Sequence, residues 1–224
     1  MRAVNMTAGL AFVAALFALH AQTSPPHKTV LPAAPADLLK LLPATPSGWQ
    51  LRQSRAKSFY NESLVSQANR ELVGPPSQPG PGNATPAPPP LTRVSLTDTA
   101  YVPALYSDFE GFKPGTYGNT ESLNVDGLPA RRIKFGDGDR LRILVKSRFV
   151  IEVQTHNQAP NASIAWARLF DIRKINDIPD SVVTSLPNPV TVVSLDEVNP
   201  KANSSYQVNW STQEDLDAAR RRKP

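Results

Sequence analysis

The sequence predicts an α+β fold: an antiparallel sheet of about six strands, covered on one face by two to four helices. Three observations carry this expectation. Apolar and polar residues alternate along several short runs, short turn signals join those runs, and a few segments place apolar residues at helical spacing. A sheet with one polar and one apolar face needs cover on the apolar side, and those segments can supply it.

In chain order, Pro35–Leu42 (PADLLKLL) opens with Pro at a first-turn position and stops at Pro43, as a short helix does. Trp49–Arg52 is a candidate seventh strand. Ser58–Ala68 reads as a helix with Phe59 and Leu64 as its apolar contacts. Asn69–Gly74 (NRELVG) and Leu91–Ala100 (LTRVSLTDTA) read as strands on either side of the proline-rich segment 75–90. That segment has no large apolar residue and no charge, so it is expected to be an extended or disordered hairpin loop within one domain.

Tyr101–Phe112 carries Leu105, Phe109 and Phe112 at helical spacing and is expected to be a helix ending before Pro114-Gly115. A four-stranded meander is expected from Glu121 to Thr155. Asp126-Gly127 turns Glu121–Val125 into Pro129–Phe135 (PARRIKF), and Gly136-Asp137-Gly138-Asp139 turns that run into Arg140–Lys146 (RLRILVK). Ser147-Arg148 then separates it from Phe149–Thr155 (FVIEVQT), in which Phe149, Ile151 and Val153 oppose Glu152 and Gln154. Asn161 is placed to cap a helix over Ala162–Ile175, with Ala165, Trp166, Leu169 and Ile172 on one face. Beyond Pro179, Val190–Val198 and Tyr206–Trp210 can pair with each other, with no indication whether they join the main sheet. The expected organisation is a signal peptide (1–21), a leader (22–34), one α+β domain (35–178) and a C-terminal tail (179–224).

The N-terminal expectation rests on order. Arg2 precedes the unbroken apolar run Leu10–Leu19, and Ala21 follows at a cleavage position. This is the layout of a secretory signal, and the run is too short to span a bilayer. The expected location is therefore periplasmic or secreted, without a transmembrane span after signal removal. Losing Arg2 lowers the net charge from +5 to +4, and Arg220, Arg221, Arg222 and Lys223 account for all of the remainder. Because the rest of the chain is formally neutral, no nucleic-acid partner is expected.

Chemistry is sparse. The chain has no Cys and only three His, which excludes thiolate nucleophiles, Cys-type zinc sites and iron–sulfur clusters. No metal site, cofactor or catalytic residue set is expected. Gly136-Asp137-Gly138-Asp139 lacks the third glycine of a dinucleotide loop and the ligand array of an EF-hand, so it reads as a turn. His156 with Asp98 or Asp171 is the candidate for hydrolysis, but no nucleophile motif accompanies them.

Two groups are candidate binding surfaces. Tyr101, Tyr106, Phe109, Phe112 and Tyr117 put five aromatics within 17 residues, suited to a ligand pocket, a partner surface or simple core packing. The polar sheet face, read as carrying Arg93, Arg132, Lys134, Arg142 and Lys146, and the basic tail Arg220–Lys223 are candidate polyanion contacts.

The series Leu41-Leu42-Pro43, Gly48-Trp49, Leu96-Thr97-Asp98-Thr99, Phe135-Gly136-Asp137-Gly138 and Phe149-Val150-Ile151-Glu152-Val153 resembles uncharacterised secreted bacterial proteins of unknown function. Strand order and the helix after the last hairpin are similar, more weakly, to PsbP/Mog1-like α+β sandwiches. That resemblance implies a binding or assembly role and transfers no catalytic residue.

The functional expectation is an exported, non-enzymatic binding or assembly module of the cell envelope, meeting an envelope protein or an anionic surface. The alternatives are a carrier of a small apolar ligand between the aromatic helix and the sheet, and a hydrolase. Amino-terminal sequencing of protein recovered from its own host should find a mature chain starting near Gln22 outside the cytoplasm. Intact Met1 on cytoplasmic protein would refute export.

Overall fold

Period-two alternation favours strands over much of the chain. The computed structural model of the chain describes residues 29–61, 63–76, 87–184 and 194–198. Its elements are β1 (Thr29–Leu31), α1 (Pro35–Leu41), β2 (Gln50–Asn61), β3 (Ser63–Val73), β4 (Leu91–Asp98), β5 (Gly115–Tyr117), β6 (Thr120–Val125), β7 (Leu128–Phe135), β8 (Gly138–Val145), β9 (Phe149–His156), α2 (Ala162–Ala167), α3 (Ile172–Asn176), β10 (Ser181–Val183) and β11 (Ser194–Val198). Among the described residues, nine strands form one antiparallel sheet in the order β11-β2-β3-β4-β9-β8-β7-β6-β5, while β1 and β10 pair separately. The class is α+β as expected, but strand-richer than the six strands read from sequence.

The meander is as the alternation implies. Leu141, Ile143 and Val145 of β8 lie opposite Val153, Ile151 and Phe149 of β9, and all six are buried. With Ala56, Ala68, Leu72, Val94 and Leu96 they form the floor on which Leu38 of α1, Trp166 of α2, Phe170 between α2 and α3, and Ile175 of α3 pack. Asp126 and Gly127 both take positive φ, the geometry of a two-residue hairpin turn. In the β8–β9 hairpin the expected two-residue turn Ser147-Arg148 is instead the three residues Lys146–Arg148, with positive φ at Lys146 and Ser147 and Arg148 N donating to Val145 O. Gly138 is required for a different reason: a Cβ there would stand 1.8 Å from the Thr155 carbonyl oxygen.

Three expected elements are corrected. Ser58–Ala68 is not a helix but the hairpin joining β2 and β3, with Asn61 paired directly to Ser63. Phe59 and Leu64 do not share a side; small residues at Ala56, Ser58, Ser66 and Ala68 line the helix-covered face instead, and sheet pairing overrides local helix propensity. Tyr101–Phe112 forms only two short 3-10 turns, Pro103–Leu105 and Ser107–Phe109. Positive φ at Ala100 and Tyr101 and at Gly111, together with Pro103, breaks the i→i+4 ladder. The predicted Ala162–Ile175 helix divides into α2 and α3, and its buried side is Ser163, Trp166, Ala167, Phe170 and Ile175, leaving Leu169 exposed. Asn161 has left-handed backbone and makes no side-chain cap; its Oδ1 accepts from Arg132 instead.

Val73 pairs with Leu91, so the strands flanking the proline-rich segment are neighbours. β11, inside the predicted Val190–Val198 run, joins the main sheet beside β2. The expectations for 1–28, 77–86, Tyr206–Trp210 and Arg220–Lys223 lie outside the described residues. No helix among the described residues is long and apolar enough to cross a membrane.

One buried ion pair ties these parts together. Arg148 and Asp98 are both 0% exposed, joined by Nε–Oδ1 and Nη2–Oδ2 bonds of 2.9 and 2.7 Å. Asp98 also accepts from the Ala33 and Ala100 amides, and Arg148 donates to Leu31 O, Pro179 O and Asp180 Oδ1. Arg148→Met should cost about 3–5 kcal/mol, because Asp98 is left charged and buried. The double replacement Arg148→Met with Asp98→Leu should cost less than the two single changes summed. Denaturant unfolding of the four proteins measures this coupling, and strict additivity would show that the pair does not act as a unit.

Candidate functional site

Register decides which arginines meet. In the β7–β8 ladder Arg131 lies opposite Arg142, and Ile133 opposite Arg140. Alternation places these four side chains on the sheet face away from α1, α2 and α3. β6 and β5 continue the same face with Ser122, Thr120 and Tyr117. Between them lies a cavity of about 640 Å³, lined by Asp108, Lys113, Arg131, Arg140 and Arg142, with Tyr117, Thr120 and Ser122 of the edge strands closing it. Its size suits a small ligand.

Four cations therefore face one acid. Asp108 is held by Arg142 Nη1 at 2.5 Å, and Glu152 lies 3.5 Å from Arg142 Nε on the neighbouring strand. Arg142 also donates to Leu105 O at 2.7 Å and stands over the Phe109 ring. Arg131 and Arg140 make no ion pair among the described residues, although Arg140 is only 7% exposed. The buried Nε atoms of Arg131 and Arg142, and Oε1 of the adjacent Gln154, have no hydrogen-bond partner among the described residues. Like charges directly opposite in a ladder are destabilising, and a buried guanidinium without a counter-charge is more so. An anion entering the cavity removes both penalties through charge-assisted, bidentate bonds.

The expected candidates divide between places. Arg142 and Tyr117 line this pocket, Tyr117 being 91% exposed, while Phe109 is buried outside its lining with its ring against Arg142. Phe112 is half-buried. Tyr106 donates to Tyr101 O, and Tyr101 turns to the Arg148 cluster, where its hydroxyl meets Asp180 at 3.1 Å. Lys146 lies in the β8–β9 turn and donates to Asn176 O and Ile178 O. The assignment of Arg132 and Lys134 to the polar face is corrected: both point to the helix side, where they pair with Glu121. A one-residue shift in PARRIKF exchanges Arg132 for Arg131, because strand side chains alternate. Arg93 does lie on the face away from the helices and pairs with Glu71 at 2.6 Å.

His156 does not meet either acid proposed for it. Its Nδ1 is 3.0 Å from Asp137 Oδ2 and its Nε2 is 3.3 Å from Gln154 Nε2. Asp98 is enclosed by Arg148, and Asp171 caps α3 through the Lys174 amide. Among the described residues, no three His, Asp or Glu side chains are grouped to hold a metal.

No family model, curated protein or solved structure in the three comparisons matches the chain.

Titration separates the two charged regions. Burial works against ionisation of Asp180, but hydrogen bonds from Arg148 and Tyr101 hold its carboxyl below the ordinary 3.8. Burial, and then the bond to Asp180, raise the Tyr101 phenol. Hydrogen bonding from Arg132 lowers Glu121 from the ordinary 4.5. Depressed carboxylates stabilise the fold above their unfolded pKa values, and that contribution is lost as pH falls through the lower folded values. Melting midpoints measured from about pH 6 down to about pH 3 should fall less steeply in Asp180→Asn than in wild type. An unchanged slope would mean that Asp180 ionises alike in both states.

Proposed function

We propose that the chain is an exported, non-enzymatic binding module whose ligand places an acidic group between Arg131, Arg140 and Arg142. The observation that carries this reading is Arg140, a nearly buried guanidinium with no ion-pair partner among the described residues, beside two arginines directly opposed across a strand pair. The apolar-carrier reading draws less support, because four cationic residues, Lys113, Arg131, Arg140 and Arg142, line the cavity next to the aromatic segment. The hydrolase reading draws less support, because the ring nitrogens of His156 meet Asp137 and Gln154 rather than Asp98 or Asp171. An envelope setting follows from the signal-like amino terminus and remains part of the proposal.

Thermal unfolding in phosphate and in chloride at equal ionic strength tests the pocket. Phosphate should raise the midpoint of the wild-type protein, since a ligand that binds only the folded state stabilises it. Arg140→Gln and Arg131→Gln should lose that rise while melting in chloride at or above the wild-type midpoint. An equal phosphate effect in wild type and both variants would place the anion elsewhere and end this reading.

A further inference from the structure

We infer that the ligand is an anionic saccharide, its acidic group on the arginines and its ring on Tyr117; this rests on the anion-pocket reading above. The pocket is two-sided. One wall is cationic, from Arg131, Arg140 and Arg142 on β7 and β8. The other is formed by β5 and β6, where Thr120 and Ser122 on β6 bring two hydroxyls to the same cavity. A simple inorganic anion is fully served by the arginines and has no use for this second wall. Hydroxyls that both donate and accept match a polyol, and guanidinium forks match a carboxylate or phosphate carried on it.

The aromatic at the lip completes the match. Tyr117 pairs with Thr120 at the edge of the sheet and is 91% exposed, an unusual cost for a large ring with no packing role. An exposed phenol offers a flat apolar face with a polar tip, which suits the C–H face of a sugar ring while its hydroxyls remain hydrated. Gly115, opposite Ser122 and on the same side as Tyr117, contributes no side chain, and a Cβ there would meet nothing within 4 Å. The edge of the sheet beside Tyr117 is therefore open to a ring. Ile133, on the cavity floor between Thr120 and Arg140, gives the ring a second apolar contact.

Calorimetric titration of the full chain separates the possibilities with four probes: a hexuronic acid trimer, a hexose phosphate, the neutral hexose trimer and inorganic phosphate. At least one of the two acidic saccharides should bind about tenfold or more tighter than inorganic phosphate, and the neutral trimer should bind weakly or not at all. Which acidic saccharide binds tells carboxylate from phosphate as the acidic group. Tyr117→Ala, at an exposed position, should weaken the acidic saccharide about tenfold and leave inorganic phosphate unchanged, whereas Arg140→Gln should abolish both. Phosphate bound as tightly as either saccharide, or a Tyr117→Ala protein with full saccharide affinity, overturns the saccharide inference and leaves the anion pocket standing. A neutral trimer bound as tightly as the acidic ones overturns it as well. No binding of any anion overturns the pocket and the inference together.

Discussion

The buried Arg148–Asp98 pair is the constraint on which the arrangement depends. Neither charge touches solvent, so each must find all its hydrogen bonds inside the protein. Their partners come from four separated stretches: the segment after β1, the end of β4, the β8–β9 turn and the segment entering β10. Satisfying them fixes where the stretches at Leu31–Ala33 and Pro179–Asp180 meet the sheet and holds the β4–β9 junction, whose partners lie more than 50 residues apart in sequence. Tyr101 joins the same cluster, which explains why the aromatic segment leaves β4 with left-handed backbone at Ala100 and Tyr101 rather than continuing as a helix.

From that anchor the segment is led across the sheet face opposite the helices. Leu105 offers a carbonyl, Asp108 a carboxylate and Phe109 a ring to Arg142. This contact neutralises one arginine of the pocket and leaves Arg131 and Arg140 facing the cavity. The helix-covered face is handled differently. Several of its buried polar groups pair with one another: Asp139 accepts from Thr155 and Ser163 at 2.6 and 2.7 Å, and Arg70 donates to the carbonyls ending α1. The grouping of the partnerless buried Nε atoms of Arg131 and Arg142 with Oε1 of Gln154 on the opposite face is the physical ground for locating function there, because orphaned buried polar atoms cost stability unless a ligand repays them.

Much of this was legible locally. The alternation in RLRILVK and FVIEVQT, the Asp126-Gly127 turn and the Pro35 helix start each follow from backbone sterics and side-chain period, which act within a few residues. Arg140 and Arg142 were therefore recognisably on one side of a strand. Arg131 was not, since its side depends on the register between β7 and β8, and a slip of one residue favours Arg132 instead. Ser58–Ala68 misled for a related reason: apolar residues five apart fit a loose helical face as well as opposite faces of a hairpin, and only pairing with β4 selects the strand.

By itself, the sequence determined the class, an antiparallel sheet with sparse helical cover, and the absence of any thiol chemistry, because composition and short-range periodicity are local properties. Only the tertiary structure decided that β11 joins the sheet, that Arg148 is buried against Asp98 50 residues away, and that three arginines and an exposed tyrosine share one cavity. Charges interact through space, and the distances that matter between them are set by strand register and chain crossing, neither of which any single stretch of residues encodes.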